Sequence, residues 1–535
     1  MNEKQILDLE FGVITDLVRQ HARDDPSHRA LVDGSKVVDY AALDAWMDRV
    51  ACALQRDGLK PGEAIAICAS ASIAYAAVFL GALRAGAVVA PLAPGSTAAS
   101  LARMLQDAQA RVLFVDAAAA DTLSPDQAAG IPRVTLDNSR PGRALEEWLA
   151  APGTRPASVT IAPSWAFNII YSSGTTGEPK GIVQPHAMRW SHVRRGKTYG
   201  YGPDTITLLS TPLYSNTTLV VFFPTLTFGG TVVLMPKFNA QAYLQLAQEQ
   251  RVTHTMLVPV QYQRLMARPD FDSYDLSSFR VKFSTSAPFG AALKADVLKR
   301  WPGALVEFYG MTEGGGTCIL DAHLHPDKLH TVGLPAEGHD IRLIDDAGQV
   351  VAPGEAGEVV GRSAGMMSGY HGQPGKTREA EWFDPEGQRF IRTGDIGRFD
   401  SDGFLILFDR KKDMIISGGF NIYPSDLEAI LRQHPAVEDA AVVGVPSQEW
   451  GETPVAFVVS NDATDTLNPD SGTSTLDPDS GTSALAATLL QWVNQRVGRT
   501  QRLAAVRLLA ELPRSPIGKV LKRELRDGYQ AEAGN

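Results

Sequence analysis

Between residues 64 and 116 the chain changes period repeatedly. Ala64–Cys68 reads as a strand, Ile73–Arg84 as a helix ended by Gly86, and Val88–Leu92 as a second strand. A helix over 98–110 and a strand over 111–116 follow. Apolar strands this short, separated by helices, bury both faces only as parallel β-α-β units. The alternation resumes at Thr231–Leu234, at a helix near 241–250, and at a strand over 255–258. The most apolar region, 64–93, is broken by Ser70, Ser72, Gly81, Arg84 and Gly86, which fits a protein core and not a membrane span.

A chain of 535 residues exceeds one ordinary core and predicts two to four domains, by the usual scaling of about 100–200 residues each. Residues 332–402 are richer in strands and turns (341–344, 357–361) and read as a β subdomain that closes the large portion. After Arg410 a small α/β unit begins. Its expected elements are a helix near 424–434, strands near 440–445 and 455–459, a helix near 484–497 and a strand at Ala505–Leu509. Residues 466–474, TLNPDSGTS, recur as TLDPDSGTS at 475–483. That repeat has little to bury and reads as a surface loop.

Charge narrows the function classes. A net charge of −10 argues against a nucleic-acid binder, whose footprint is normally basic. Cys52, Cys68 and Cys318 show no metal spacing and make no disulfide framework, which fits a reducing cytoplasm. Residues 1–5 lack the basic region and apolar core of a secretory signal.

Tyr171–Gly181 reads YSSGTTGEPKG and follows the strand-like run 166–170. Glycines let a backbone approach an anion closely, hydroxyls of Ser172, Ser173, Thr175 and Thr176 add donors, and Lys180 adds a point charge. A polyphosphate suits such a loop; a plain surface loop of the same composition is the alternative. The spacing is not that of a P-loop, because Lys180 falls three residues after Gly177 and Gly181 follows it.

The run resembles the phosphate loop of the adenylate-forming superfamily, which includes the acyl-CoA synthetases, the adenylation domains of peptide synthetases and firefly-type luciferases. Four further motifs occur in the order that family uses. The resemblance covers about residues 10 to 527 and implies the following roles. Ser172, Ser173, Gly174, Thr175, Thr176 and Gly177 would hold the phosphates of ATP, and Lys180 would neutralise the leaving pyrophosphate. In Tyr309-Gly310-Met311-Thr312-Glu313, the tyrosine would pack on adenine, Thr312 contact the α-phosphate and Glu313 carry Mg²⁺. Ser286, Ala287 and Pro288 would cover the other adenine face, with Ser286 where the family more usually has glycine. Asp395 would bind the ribose hydroxyls with Arg410 as its partner. Lys412 would be a hinge, and Gly418 and Gly419 would line the path of an acceptor thiol. Lys519 would bridge the carboxylate and the α-phosphate, which is positioning and charge stabilisation rather than acid–base work.

The domain limits that follow are 1–409 for ATP and acyl binding, 410–412 for the hinge, and 413–535 for a mobile lid. Pro212-Leu213-Tyr214-Ser215-Asn216 aligns with a motif that often reads P-L-F-H, so Ser215 replaces a histidine. The aspartate that amino-acid-activating domains use for an ammonium group is absent, and an unpaired buried ammonium is costly. Tyr214, Ser215, Phe222 and Phe223 are candidate pocket residues and point to a neutral, apolar acid: fatty, alicyclic or aryl. No carrier domain follows Lys519, which favours a ligase that uses ATP, Mg²⁺ and CoA. Enzymes that load a separate carrier protein and luciferase-like oxygenases remain alternatives, as does a homodimer.

Overall fold

The computed structural model describes residues 3–123, 130–139, 142–172, 179–411, 413–417, 420–447, 450–461, 484–515 and 518–533. By its contacts the chain divides into two compact units, Met1–Arg342 with Val360–Thr393, and Leu343–Val359 with Gly394–Asn535. The division falls inside strand Arg389–Phe399, whose residues 395–399 pair with strand Leu405–Arg410 within the second unit. The fold is the expected α/β arrangement, with a large N-terminal portion and a smaller C-terminal one.

The first unit is built on two large sheets. One has eight strands in the order Gly369–Tyr370, Lys180–Pro185, Ala166–Ser172, Val88–Leu92, Ala64–Cys68, Leu113–Val115, Arg133–Thr135 and Arg143–Ala144. Its centre is parallel: Ala64 lies opposite Val88, and Ala66 opposite Leu113. The other has nine strands, with Ala304–Tyr309, Val281–Ser284, His254–Leu257, Ile206–Leu209 and Thr231–Leu234 running parallel.

Helix Ile73–Arg84 shows why these elements form. Ser72 caps it by accepting from the Tyr75 amide at 3.1 Å, and Gly86 leaves it at φ +76°. Its residues 75–83 are all buried, as an apolar sequence without a polar stripe requires. Phe79 meets Phe167 and Phe223 at centroid separations of 6.2 and 5.7 Å, so this helix carries the core beneath strand Ala166–Ser172.

The second unit holds the sheet Phe420–Ile422, Ile415–Ser417, Gly451–Ser460 and Val437–Ser447, with Ala505–Leu509 parallel to Gly451–Ser460. Helices Pro424–Leu431 and Ala484–Asn494 cover its apolar face through Leu427, Leu431, Leu489 and Val493. The repeat at 466–483 lies outside the described residues. Among the described residues no helix is long and apolar enough to cross a membrane.

Candidate functional site

Strand Ala166–Ser172 leaves the core and strand Lys180–Pro185 returns antiparallel beside it, with Ser172 opposite Lys180 and Tyr171 opposite Gly181. Ser172 and Lys180 therefore stand together at the mouth of a hairpin. Ser173, Gly174, Thr175, Thr176 and Gly177 lie outside the described residues.

The base of the hairpin is braced from both sides. Tyr171 donates its hydroxyl to Asp107 Oδ2 at 2.6 Å. The His371 amide donates to the Gly181 carbonyl at 2.7 Å, and its ring nitrogen lies 3.6 Å from Asp107. A Cβ on Gly181 would sit 2.9 Å from Asp107 Oδ2, so this crossing needs glycine. Burial alone would raise Asp107; His371 and Tyr171 outweigh it and bring the carboxyl below its ordinary range. Asp107 in turn holds the His371 imidazole above its ordinary value, against the effect of burial.

Tyr370 joins the hairpin to Glu313. It pairs with Ile182 on the short outer strand and is 8% exposed. Its hydroxyl donates to Glu313 Oε1 at 2.8 Å, while Lys180 Nζ lies 5.0 Å from its ring centroid. Burial and the neighbouring Glu313 push the phenol well above its ordinary value, so it stays a proton donor. Glu313 is held by its backbone too, since its carbonyl accepts from the Met367 amide at 2.8 Å. Gly314 follows at φ +75°, and a Cβ there would lie 1.9 Å from the Gly365 carbonyl oxygen. Only glycine permits that approach.

Thr312 is fixed from beneath. Gln184 donates to its carbonyl at 2.7 Å, and Gln184 Oε1 accepts from Asn168 at 3.0 Å and from the Arg189 guanidinium. Arg189 is 1% exposed and has no carboxylate partner among the described residues; burial lowers it to about 9. Tyr309 closes strand Ala304–Tyr309 opposite Cys318, three residues before Thr312.

Ser286 sits at φ +80°, a backbone region that suits glycine. Its hydroxyl pairs with Thr217 Oγ1 at 2.6 Å. Ala287 is half-buried and Pro288 exposed. Ser215 caps helix Asn216–Thr227 by accepting from the Thr217 amide, so Ser215, Thr217 and Ser286 form one neighbourhood beside half-buried Tyr214. Phe222 and Phe223 lie deeper on the same helix, each 1% exposed, with Phe223 edge-on to Phe167 at 5.1 Å. The structure places these two in the core and not in a wall open to a ligand. Pocket wall and core share an apolar composition, so spacing alone does not separate them.

In the second unit Asp395 lies opposite Arg410 across two antiparallel strands, with Arg410 Nε 3.3 Å from Asp395 Oδ1. Lys519 sits on a tight turn: its carbonyl accepts from the Ser515 amide at 2.8 Å, and Arg514 braces the turn by donating to the Gly518 carbonyl at 2.6 Å. Lys522, three residues on, reaches Glu428 at 2.9 Å and Asp409 at 4.0 Å. Lys412, Gly418 and Gly419 lie outside the described residues.

Sequence reasoning missed Asp107, Gln184, Thr217, Tyr370 and His371. A tyrosine–histidine pair in a turn-rich stretch gives no local signal; its partners are distant in sequence. Among the described residues no group of three or more His, Cys, Asp or Glu is placed to hold a metal. A single carboxylate, Glu313, fits only a hard cation that takes its other ligands from phosphate and water oxygens.

Residues 18–371 match the AMP-binding enzyme family and residues 426–519 its C-terminal domain. The chain is 34% identical over 513 residues to a feruloyl-CoA synthase of an Amycolatopsis species, covering 95% of this chain and 97% of the relative. It is 32% identical to an indoleacetate–CoA ligase of Aromatoleum aromaticum, covering 96% and 97%. Among solved structures it is similar to ATP-bound MatB from Rhodopseudomonas palustris, with a TM-score of 0.83, 28% identity, and coverage of 96% and 99%.

Proposed function

Since the chain belongs to the AMP-binding enzymes, the adenylate-forming acyl-CoA synthetase family, and is thus an AMP-forming acid–thiol ligase, we propose that it activates a ring-bearing carboxylic acid with ATP and passes it to CoA. The observation that carries this is the junction of Lys180, Tyr370 and Glu313 at the mouth of the hairpin. It gathers a cation, a neutral donor and a carboxylate, a set that suits a triphosphate with its accompanying cation.

The first half-reaction joins a carboxylate oxygen of the acid to the α-phosphorus of ATP and breaks the bond to pyrophosphate. Lys180 faces charge developing on the leaving group, and Thr312 the α-phosphate. Mg²⁺, held by Glu313 and phosphate oxygens, would offset the remaining charge. Preorganised charges of this kind act with little reorganisation in the transition state. The Tyr370 hydroxyl fixes the orientation of Glu313. Asp395, kept in place by Arg410, suits two ribose hydroxyls as an acceptor. Lys519 reaches the reacting carboxylate when the C-terminal portion turns about residues 410–412. In the second half-reaction the thiol sulfur of CoA attacks the acyl carbon and AMP leaves.

A ring-bearing acid is supported by the aryl acids named for two relatives. Cys52, Cys68 and Cys318 are free thiols, which suits a reducing compartment. The test is a panel of aryl, alicyclic and fatty acids with ATP and Mg²⁺, followed by pyrophosphate release with and without CoA. Pyrophosphate release with acyl-CoA formation is expected. Transfer only to a carrier protein, or oxygen uptake without CoA, would replace the acceptor step. No release with any acid would overturn the reading.

A further inference from the structure

Helix His186–Arg195 carries an unbalanced set of cations. His192 and Arg195 stand three residues apart and so share a helix face. Arg195 is half-buried, yet among the described residues it makes no hydrogen bond and no ion pair. Its guanidinium carbon lies 5.8 Å from the Phe308 ring centroid. His192 Nδ1 is buried with no hydrogen-bond partner, and so is one terminal nitrogen of Arg189, a turn earlier. His339, which accepts the Thr317 amide at 3.0 Å, completes the cluster. Burial, and then the Arg195 charge, lower His339 to about 4, and burial with Arg189, Arg195 and His339 keeps His192 neutral. Asp321 acts on Tyr199 but forms no ion pair with Arg195. A half-buried guanidinium without an acid is costly, and the described residues supply none here.

The surroundings indicate what the missing partner belongs to. Phe308 is stacked with Phe283 at 5.5 Å, and Tyr199 stands edge-on to both at 5.9 and 5.1 Å. Phe308 immediately precedes Tyr309 on the strand that leads to Thr312 and Glu313. Met188, on the same helix, has its Cε 3.1 Å from where a Cβ of Gly314 would be. Arg195 is two turns farther, about 10 Å along the axis at a rise of about 1.5 Å per residue. One end of this helix face therefore meets the turn next to Glu313, and the other end holds the cation, unpaired among the described residues, against the half-buried ring of Phe308.

We propose that Arg195, with His192 as a neutral hydrogen-bonding neighbour, recognises a second carboxylate on the substrate, carried on the ring at the end remote from the carboxyl group that is activated. This rests on the acid–CoA ligase reading above and names its substrate class: aryl dicarboxylic acids. A guanidinium holds a carboxylate by two parallel charge-assisted hydrogen bonds. A site built around such a pair rejects an analogue that lacks the charge.

The test compares carboxycinnamic acids, with the ring carboxylate ortho, meta or para, against the carbamoylcinnamic acids of the same shape. The readout is the ratio of kcat/KM for pyrophosphate release within each pair. For the best ring position the wild-type ratio is expected at about ten to a hundred in favour of the diacid. Arg195→Met should bring it to about one, and Arg195→Lys should keep an intermediate value. A wild-type ratio at or below one for all three positions overturns the proposal, and so does a ratio that Arg195→Met leaves unchanged. If Arg195→Met fails to fold, the wild-type ratio and Arg195→Lys decide. Turnover of the carbamoyl acids with a ratio at or below one sinks this inference alone. Failure of every acid to release pyrophosphate sinks the ligase reading with it.

Discussion

Replacing Tyr370 by phenylalanine removes one atom and isolates one interaction. The hydroxyl donates to Glu313 Oε1 at 2.8 Å from a side chain that is 8% exposed. A hydrogen bond to a charged acceptor contributes about 1.5–3 kcal/mol; at about 2 kcal/mol, and about 1.4 kcal/mol per decade, the adenylation rate should fall roughly thirtyfold. The ring remains under Lys180, and its packing on Ile182, Met367 and Ile391 remains, so the variant should fold, with a melting temperature lowered only by the loss of that one hydrogen bond. Tyr370→Leu loses the cation–ring contact as well, about 0.5–1 kcal/mol, or a further two- to fivefold. The assay is pyrophosphate release against Mg²⁺ concentration, beside thioester formation from supplied acyl-adenylate. The loss should appear in kcat and in the Mg²⁺ requirement of the first half-reaction, and the second should be spared. A Tyr370→Phe enzyme within twofold of wild type in adenylation would refute the reasoning. An equal loss in both half-reactions would also refute it.

Lys519→Ala should abolish adenylation and spare thioester formation from supplied acyl-adenylate; equal loss of both would count against two arrangements of the C-terminal portion. Ser286 combines a left-handed backbone with a hydroxyl bond to Thr217, two effects of about 1 kcal/mol each and opposite sign. Ser286→Gly should therefore melt near wild type and Ser286→Ala clearly below it, and an alanine variant as stable as glycine would remove the role of the strain. For His371 the folded pKa is raised, so its stabilisation is complete below the unfolded value near 6.5 and fades as pH rises through the folded one. Asp107, lowered in the fold, contributes above about 3.8 and loses this as pH falls through its folded value. Thermal melts should thus lose stability on the alkaline side of pH 6.5, and His371→Gln should flatten that slope; an identical pH profile in the variant would show that the pair is not coupled to folding.

Much of this protein is written in local pattern. Ala64–Cys68, Ile73–Arg84, Val88–Leu92, Thr231–Leu234 and Ala505–Leu509 form over the residues that period and capping signals mark, because a strand or a buried helix depends on its own run of side chains. The strand entering the glycine- and hydroxyl-rich run is legible for the same reason over 166–170, and so is the family that the five motifs resemble, while the antiparallel return at Lys180–Pro185 is not read from the sequence. Sheet order decided the rest. Tyr370 reaches Lys180 and Glu313, 190 and 57 positions away (370 − 180 and 370 − 313), only because a two-residue strand docks beside Lys180–Pro185. Phe222 and Phe223 became core because helix Asn216–Thr227 lies against Phe79 and Phe167. That Arg195 goes without an acid among the described residues is a property of packing: charge can be counted along a chain, but whether a cation finds its partner depends on which segments the fold brings next to it.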